Sequence, residues 1–398
     1  MELATDDSFL FFFDDDVQLK KKKKIGVLQD YYEQHVFGSS SSVIFHLSLV
    51  GATSNCFMNL MSVFAQILLS KFGIKGVMLI AALLCTSGLE LASQSTEIWH
   101  LVLTQGVLFG SGLSIVFYVG MSSLPQWFDK REGTALGIVS GGSSIGGLVM
   151  PFIITPLNRS LGVSWCLRIL GLINLVICLV ACVLFKDKKK RKQQTKVRDI
   201  VDLSVLKNKD LLIWVLADNL IESGYYIPMF FVPSYATSLG LTDSQGSLLV
   251  SLASAMNAVG RMVAGPIADR IGYMNVTIIC SLIAGSSSLL IWTFATDFPM
   301  LALFACLFGS TGGIFVSLGP SITKIVEKKK FDSAYAIFLI MTVLSMFGPN
   351  LAACIESSVE TGAFVTYKMF TGLTYISGTL VLLYLKIKVS GGRIFTCI

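Results

Sequence analysis

The sequence predicts an all-α polytopic membrane protein made of two pseudo-symmetric helical bundles. Three observations carry this fold class: an apolar composition, apolar runs of membrane-spanning length that recur along the chain, and an internal repeat of about 200 residues. Of 398 residues, 53% are hydrophobic and 14% charged, and the mean hydropathy is +0.71. A water-soluble fold of that make-up would lack a polar coat, so lipid must be its main solvent.

The formal net charge of +6 sits in the segments between apolar runs, which excludes a basic nucleic-acid-binding domain. Nine cysteines are present, with no CxxC pair, and Cys56, Cys85, Cys178, Cys182, Cys280 and Cys306 all fall inside apolar runs, as packing residues do. No HExxH and no P-loop occurs among widely spaced histidines. The chain calls for no metal, no cofactor and no enzyme chemistry.

Taken in order, the spans read as 43–70, 74–94, 98–122, 133–156 and 164–185, then 211–236, 244–267, 274–295, 299–322, 333–355 and 365–387. Each has the roughly 20-residue, predominantly apolar length that a bilayer core needs. Lys71, Lys75, Lys130 and Arg131 lie on one side of this alternation. The segment KDKKKRKQQTKVRDIVDLSVLKNKD, with ten Lys and Arg, lies there too, as do Arg270, Lys324, Lys328, Lys329, Lys330, Lys386, Lys388 and Arg393. The positive-inside rule makes that side cytosolic.

LFGSGLSIVFYVG at 108–120 aligns without gaps to LFGSTGGIFVSLG at 307–319, an offset of 199 that also takes SKFG at 70–73 onto DRIG at 269–272. Parallel repeats must start on the same side, so each needs an even number of spans. The second copy has six and the first five. The missing helix should lie near residues 12–37, where Asp14 to Asp16 and Lys20 to Lys24 stand. At about 2.5–3.5 kcal/mol per charge at the bilayer centre, this is no ordinary span. The domains are therefore an atypical segment at 1–42, an N-terminal bundle at 43–185, a basic cytosolic linker at 186–210, a C-terminal bundle at 211–387 and a cytosolic tail at 388–398. The patch FLFFF is too short and too closely followed by acids for a cleavable signal peptide. Internal spans must direct the chain to its membrane, with the plasma membrane the default and the vacuolar membrane the alternative.

Arg261 lies inside an apolar span, SLASAMNAVGRMVAGPIADRIG, where an uncompensated guanidinium is costly and is retained facing a cavity or a partner. Asp218 and Glu222, in WVLADNLIESGYY, are i, i+4 neighbours on one face of their helix. A desolvated acid there suits proton coupling, and a cavity-facing hydrogen-bonding acid suits the pattern equally. Tyr225, Tyr226 and Phe230 follow near an expected break at Pro228 and would line a substrate cavity or simply pack. The glycines at 137, 141, 142, 146 and 147 have small-residue spacing for close helix approach. Arg168 and Lys368 read as anchors reaching headgroups.

The segments WFDKREGTALGIVSGGSSIGGLVMP, YYIPMFFVPSYATSLGL and NAVGRMVAGPIADRIG resemble the monocarboxylate transporter family of the major facilitator superfamily, its fungal branch in particular, over residues 25 to about 387. The resemblance implies two six-helix bundles, a substrate site near the bilayer midplane and alternating access, driven by the substrate's own gradient or by proton symport. It implies that Arg261 binds the anionic group of a small organic substrate, with a structural ion pair or snorkelling as the other reading. The fungal branch also holds riboflavin carriers and members with no known substrate. Asn257 stands where animal members place an aspartate that works with the arginine, and asparagine cannot titrate. In the loop after the second span the family pattern Asp-Arg-x-Gly reads Ser70-Lys71-Phe72-Gly73, whereas Asp269-Arg270-Ile271-Gly272 is intact. Asp269, Arg270 and Lys71 are thus the candidates for a cytosolic latch. The family's opening acidic-Gly-Gly-Trp-Gly-Trp motif is absent, and its substrate-linked lysine has no match. The favoured expectation is a secondary carrier of small organic anions or a related metabolite. Its rival is a non-transporting membrane sensor or degenerate paralogue. The partners implied are a small-molecule substrate and the lipid bilayer, with oligomeric state left open.

Overall fold

The structure, a computed structural model, describes residues 41–128, 130–186, 200–326, 328–358 and 364–392, and these are helical with no strand among them. Residues 1–40 of the atypical segment at 1–42 and most of the basic linker lie outside the described residues, as does the end of the tail. The helices are α1 (Ser41–Leu60), α2 (Ser62–Ala92), α3 (Ile98–Trp127), α4 (Glu132–Leu184) and α5 (Lys209–Ser238). They continue as α6 (Asp243–Ile271), α7 (Tyr273–Trp292), α8 (Phe298–Thr323), α9 (Phe331–Ser358) and α10 (Val365–Val389).

Each of the eleven expected spans falls on helix, because α2 and α4 are each two rods joined at one glycine. Gly73 in α2 has φ 68° and ψ 174°, and Gly162 in α4 has φ 80° and ψ 168°. Only a residue without Cβ takes that backbone cheaply, so one residue turns the chain. Gly272, between α6 and α7, has φ 98° and ψ 144°. Gly73 and Gly272 are the pair that the 199-residue offset aligns, and both copies turn the same corner. Eight helices among the described residues are long and apolar enough to cross a membrane. Large side chains such as Phe152, Val183, Leu184 and Leu344 stand exposed on them, as lipid-facing residues do.

The expected break at Pro228 does not form. α5 runs through Pro228 and Pro233 as one 30-residue helix. In a spanning helix neighbouring elements make good the hydrogen bond that proline removes.

The chain forms two compact units: the described residues up to Gly120 with Gly146–Val201, and Met121–Ile145 with Asp202 onward. The first packs α2, α3 and α4 around Cys85, Leu89, Phe109, Leu113, Cys166 and Leu167. All eight described cysteines are free thiols.

The second unit has an aromatic core that includes Tyr225, Tyr235, Trp292, Phe304, Phe308 and Tyr375. In lipid, apolar burial alone gives no drive to associate, so packing and internal hydrogen bonds must hold helices together. The polar tips inside this unit accordingly find partners: Tyr375 OH donates to Gly312 O at 2.8 Å, Tyr235 OH to Ala295 O at 2.6 Å, and Trp214 Nε1 to Thr323 Oγ1 at 3.1 Å. Small residues set close contacts. A Cβ on Gly137 of α4 would stand 2.4 Å from Arg261 O, and one on Gly265 of α6 would stand 2.3 Å from Gly133 O. This is why the start of α4 groups with α6.

Candidate functional site

Asn257 and Arg261 are one turn apart on α6 and so share a face. Both are buried, at 3% and 7% exposure. Arg261 Nη1 donates to Ser140 O and to Ser143 Oγ of α4, both at 3.0 Å. Its Nη2 lies 3.5 Å from Tyr225 OH of α5, and its buried Nε has no hydrogen-bond partner. Every partner is neutral, and no ion pair among the described residues includes Arg261.

Asn257 completes the ring of contacts. Its Nδ2 donates to Tyr225 OH at 3.1 Å, and its Oδ1 accepts from Ser144 Oγ at 2.8 Å. The Tyr225 ring is held edge-on by Phe315, with centroids 5.5 Å apart. Gly313, where α8 is interrupted, closes the arrangement: a Cβ there would meet Asn257 Nδ2 at 2.5 Å and Arg261 Nη2 at 3.1 Å.

The structure therefore brings together Arg261, Asn257 and Tyr225. Glu222 is buried one turn before Tyr226 on α5, accepts from Ser345 Oγ of α9, and lies 3.5 Å from Tyr226 OH. Asp218 is buried one turn before Glu222. Phe230 packs against the aromatic core and makes no hydrogen-bonded contact with the Arg261 group. Ser140, Ser143, Ser144 and Gly313 were not legible as site residues. The serines sit in a run, SGGSSIGG, that reads as helix packing, and a carbonyl or a missing Cβ leaves no mark in a sequence.

The latch residues divide. Asp269 Oδ1 accepts from Gly133 N at 2.7 Å, and its Oδ2 accepts from Thr134 N at 2.9 Å and Thr134 Oγ1 at 2.6 Å. The carboxylate thus caps the free N–H groups that open α4. Glu132, buried beside it, accepts from Ser321 Oγ at 2.7 Å and pairs with Lys324 of the segment that follows α8. Neither Glu132 nor Lys324 stood out in the sequence, because both lie at span ends where charge is ordinary. Arg270 and Lys71 are exposed, and Lys71 makes no hydrogen bond or ion pair among the described residues.

Comparison with known proteins bears on the fold and the family. A family profile described as Major Facilitator Superfamily matches residues 25–235 and 215–393. The MFS transporter asaE of Aspergillus flavus is 28% identical over 370 residues, which is 92% of this chain and 83% of the relative. The agnestins efflux protein AgnL12 of Paecilomyces divaricatus is 28% identical over 368 residues, with the same 92% and 83% coverage. Among solved structures, the fucose:proton symporter FucP of E. coli is similar in fold, with a TM-score of 0.71 at 14% identity over 96% of this chain and 98% of that one. The human organic anion transporter MFSD10 has a TM-score of 0.67 at 14% identity, over 89% and 88% of the two chains. From its helical repeats, its glycine corners and the profile that spans both copies, the chain belongs to the Major Facilitator Superfamily, a family of multi-pass membrane transporters.

Proposed function

We propose that this protein is a secondary carrier that moves a small organic anion, or a related metabolite, across its membrane by alternating access, with Arg261 as the anion site. One observation carries the reading: the Arg261 guanidinium is buried in a spanning helix and touches only neutral groups, with Nε unpartnered. A charge at that depth costs at least about 2.5–3.5 kcal/mol on insertion scales, and a carboxylate supplied by cargo offsets the cost. Asn257, Tyr225 and Gly313 then orient the carboxylate, and a guanidinium engages it through two parallel N–H donors. The resemblance to monocarboxylate transporters agrees with this assignment. Proton coupling falls to Glu222 and Asp218, and Asp269 with Arg270 serves the latch on the cytosolic side.

Expression of the wild type, Arg261→Gln and Arg261→Lys in a transport-deficient host, with labelled monocarboxylates and riboflavin, tests the site. Uptake of the anion should fall below about a tenth in the glutamine variant, because losing a charged hydrogen-bonded partner is worth at least ~1.4 kcal/mol. The lysine variant should recover part of it, since it keeps the charge and loses the fork. Undiminished uptake by Arg261→Gln removes the assignment.

Export is the second reading. Two relatives are described as efflux proteins, for agnestins and for aspyridones, and that favours outward movement of a larger organic metabolite through the same site. Inside-out vesicles separate the directions. Absence of flux in both orientations, with folded protein present, would favour the non-transporting sensor instead.

A further inference from the structure

The second unit holds another buried cation that no substrate reading has used. Lys368 lies in the first turn of α10 and is only 4% exposed. Its Nζ sits 3.7 Å from the centroid of the Tyr235 ring on α5. No ion pair among the described residues includes it. Among the described residues, the acid at the start of the same helix is committed elsewhere: Glu356 accepts from the backbone N–H groups of Phe364 at 2.6 Å and Thr366 at 3.1 Å. A side chain that had reached headgroups, as the sequence suggested for Lys368, would be exposed, and this one is held inside the unit.

Two unfavourable terms meet at this lysine. An ammonium taken out of water needs compensation, and a cation in the first turn of a helix opposes the helix dipole. The ring face of Tyr235 offsets part of the first and none of the second. The surroundings fix the lysine in place: Ser288 Oγ of α7 donates to Lys368 O at 2.9 Å, and Tyr235 OH is tied to Ala295 O. Next to it, Phe231 and Tyr367 stack with centroids 3.7 Å apart, which forms an aromatic wall.

We propose that Lys368 and Tyr235 form a second anion-binding subsite for the carboxylate of an organic acid with an apolar or aromatic body. The reading rests on Arg261 as the principal anion site and extends it. Tyr225, which contacts Arg261, and Tyr235, which carries Lys368, lie ten residues apart on one continuous helix, about 15 Å along its axis. Lys368 stands at the end of α10 remote from Lys386 and Lys388. The two cations are thus successive stations along α5, and a carboxylate meets Lys368 on the side away from the basic loops.

Equilibrium dialysis of radiolabelled benzoate against the full chain in phosphatidylcholine nanodiscs tests this. The wild type should bind two equivalents, and Lys368→Met and Arg261→Gln one each. Lys368→Arg should bind two. Where Lys368→Met fails to fold, Tyr235→Leu keeps the ammonium and removes its ring, and should weaken the benzoate site left in Arg261→Gln at least tenfold. A wild type that binds one equivalent, kept by Lys368→Met and lost by Arg261→Gln, overturns the second subsite and leaves the Arg261 reading standing. A wild type that binds none overturns both.

Discussion

At the scale of single residues, the Arg261 group depends as much on what is absent as on what is charged. Gly313 is not in a left-handed conformation, with φ −90° and ψ 7°, so its need for glycine comes from space alone. Gly313→Ala should push Asn257 and Arg261 apart and lower kcat/KM for anion transport at least about tenfold, ~1.4 kcal/mol, while expression in the membrane stays near normal. Transport kinetics of the purified variant in liposomes check this; unchanged kinetics would mean the side chains give way freely. Arg261 and Glu222 stand out in the sequence because an ionisable group within an apolar run is conspicuous, and Asn257 only through the family resemblance, whereas the carbonyl of Ser140 and the bare Cα of Gly313 leave no such mark. Outside the spans, hydrogen bonds from Ser204, side chain first and then backbone, hold the Asp202 carboxyl below the usual range, with Lys330 adding to it. A depressed folded pKa stabilises above the unfolded value of about 4 and is lost as pH falls through the folded one. Asp202→Asn should therefore unfold earlier than the wild type near neutrality, and the two thermal midpoints should converge in acid.

Helix ends carry the next level of control. Asp269 caps α4 from another helix, so Asp269→Ala should cost about 1–2 kcal/mol, the range for a lost cap, and Thr134→Ala less; thermal unfolding in detergent measures both. Lys324→Met leaves the buried Glu132 carboxylate without its counter-ion and should cost about 3 kcal/mol, the low end for a broken buried pair because Lys324 keeps 28% of its side chain exposed. Adding Glu132→Gln should recover much of that loss, and a double-mutant cycle reads the coupling. If Lys324→Met unfolds like the wild type, the pair is a surface ornament. The elements themselves were legible, since every expected span lies on helix. The continuity of α5 through Pro228 was not, because a spanning helix keeps its axis when neighbours replace the missing hydrogen bond.

The whole molecule is a duplicated scaffold, and the duplication was readable from one 13-residue alignment. The grouping of Met121–Ile145 with the second unit was not readable, since it rests on backbone approaches at Gly133, Gly137 and Gly265 across distant parts of the chain. At this scale coupling is a property of the transport cycle. Glu222→Gln should abolish the pH dependence of net uptake while sparing counterflow exchange, and retained pH dependence would assign coupling to another acid. The single-residue corner at Gly272 has a mechanical meaning here. Two helices joined by one residue have little slack, so the end of α6 and the start of α7 cannot move far apart. Asp269, three residues before the corner, grips α4. The far end of α7 carries Ser288, whose hydroxyl holds the backbone of Lys368. A displacement at the Asp269 contact would therefore reach α7, whose other end holds Lys368, with no loop between α6 and α7 to absorb it.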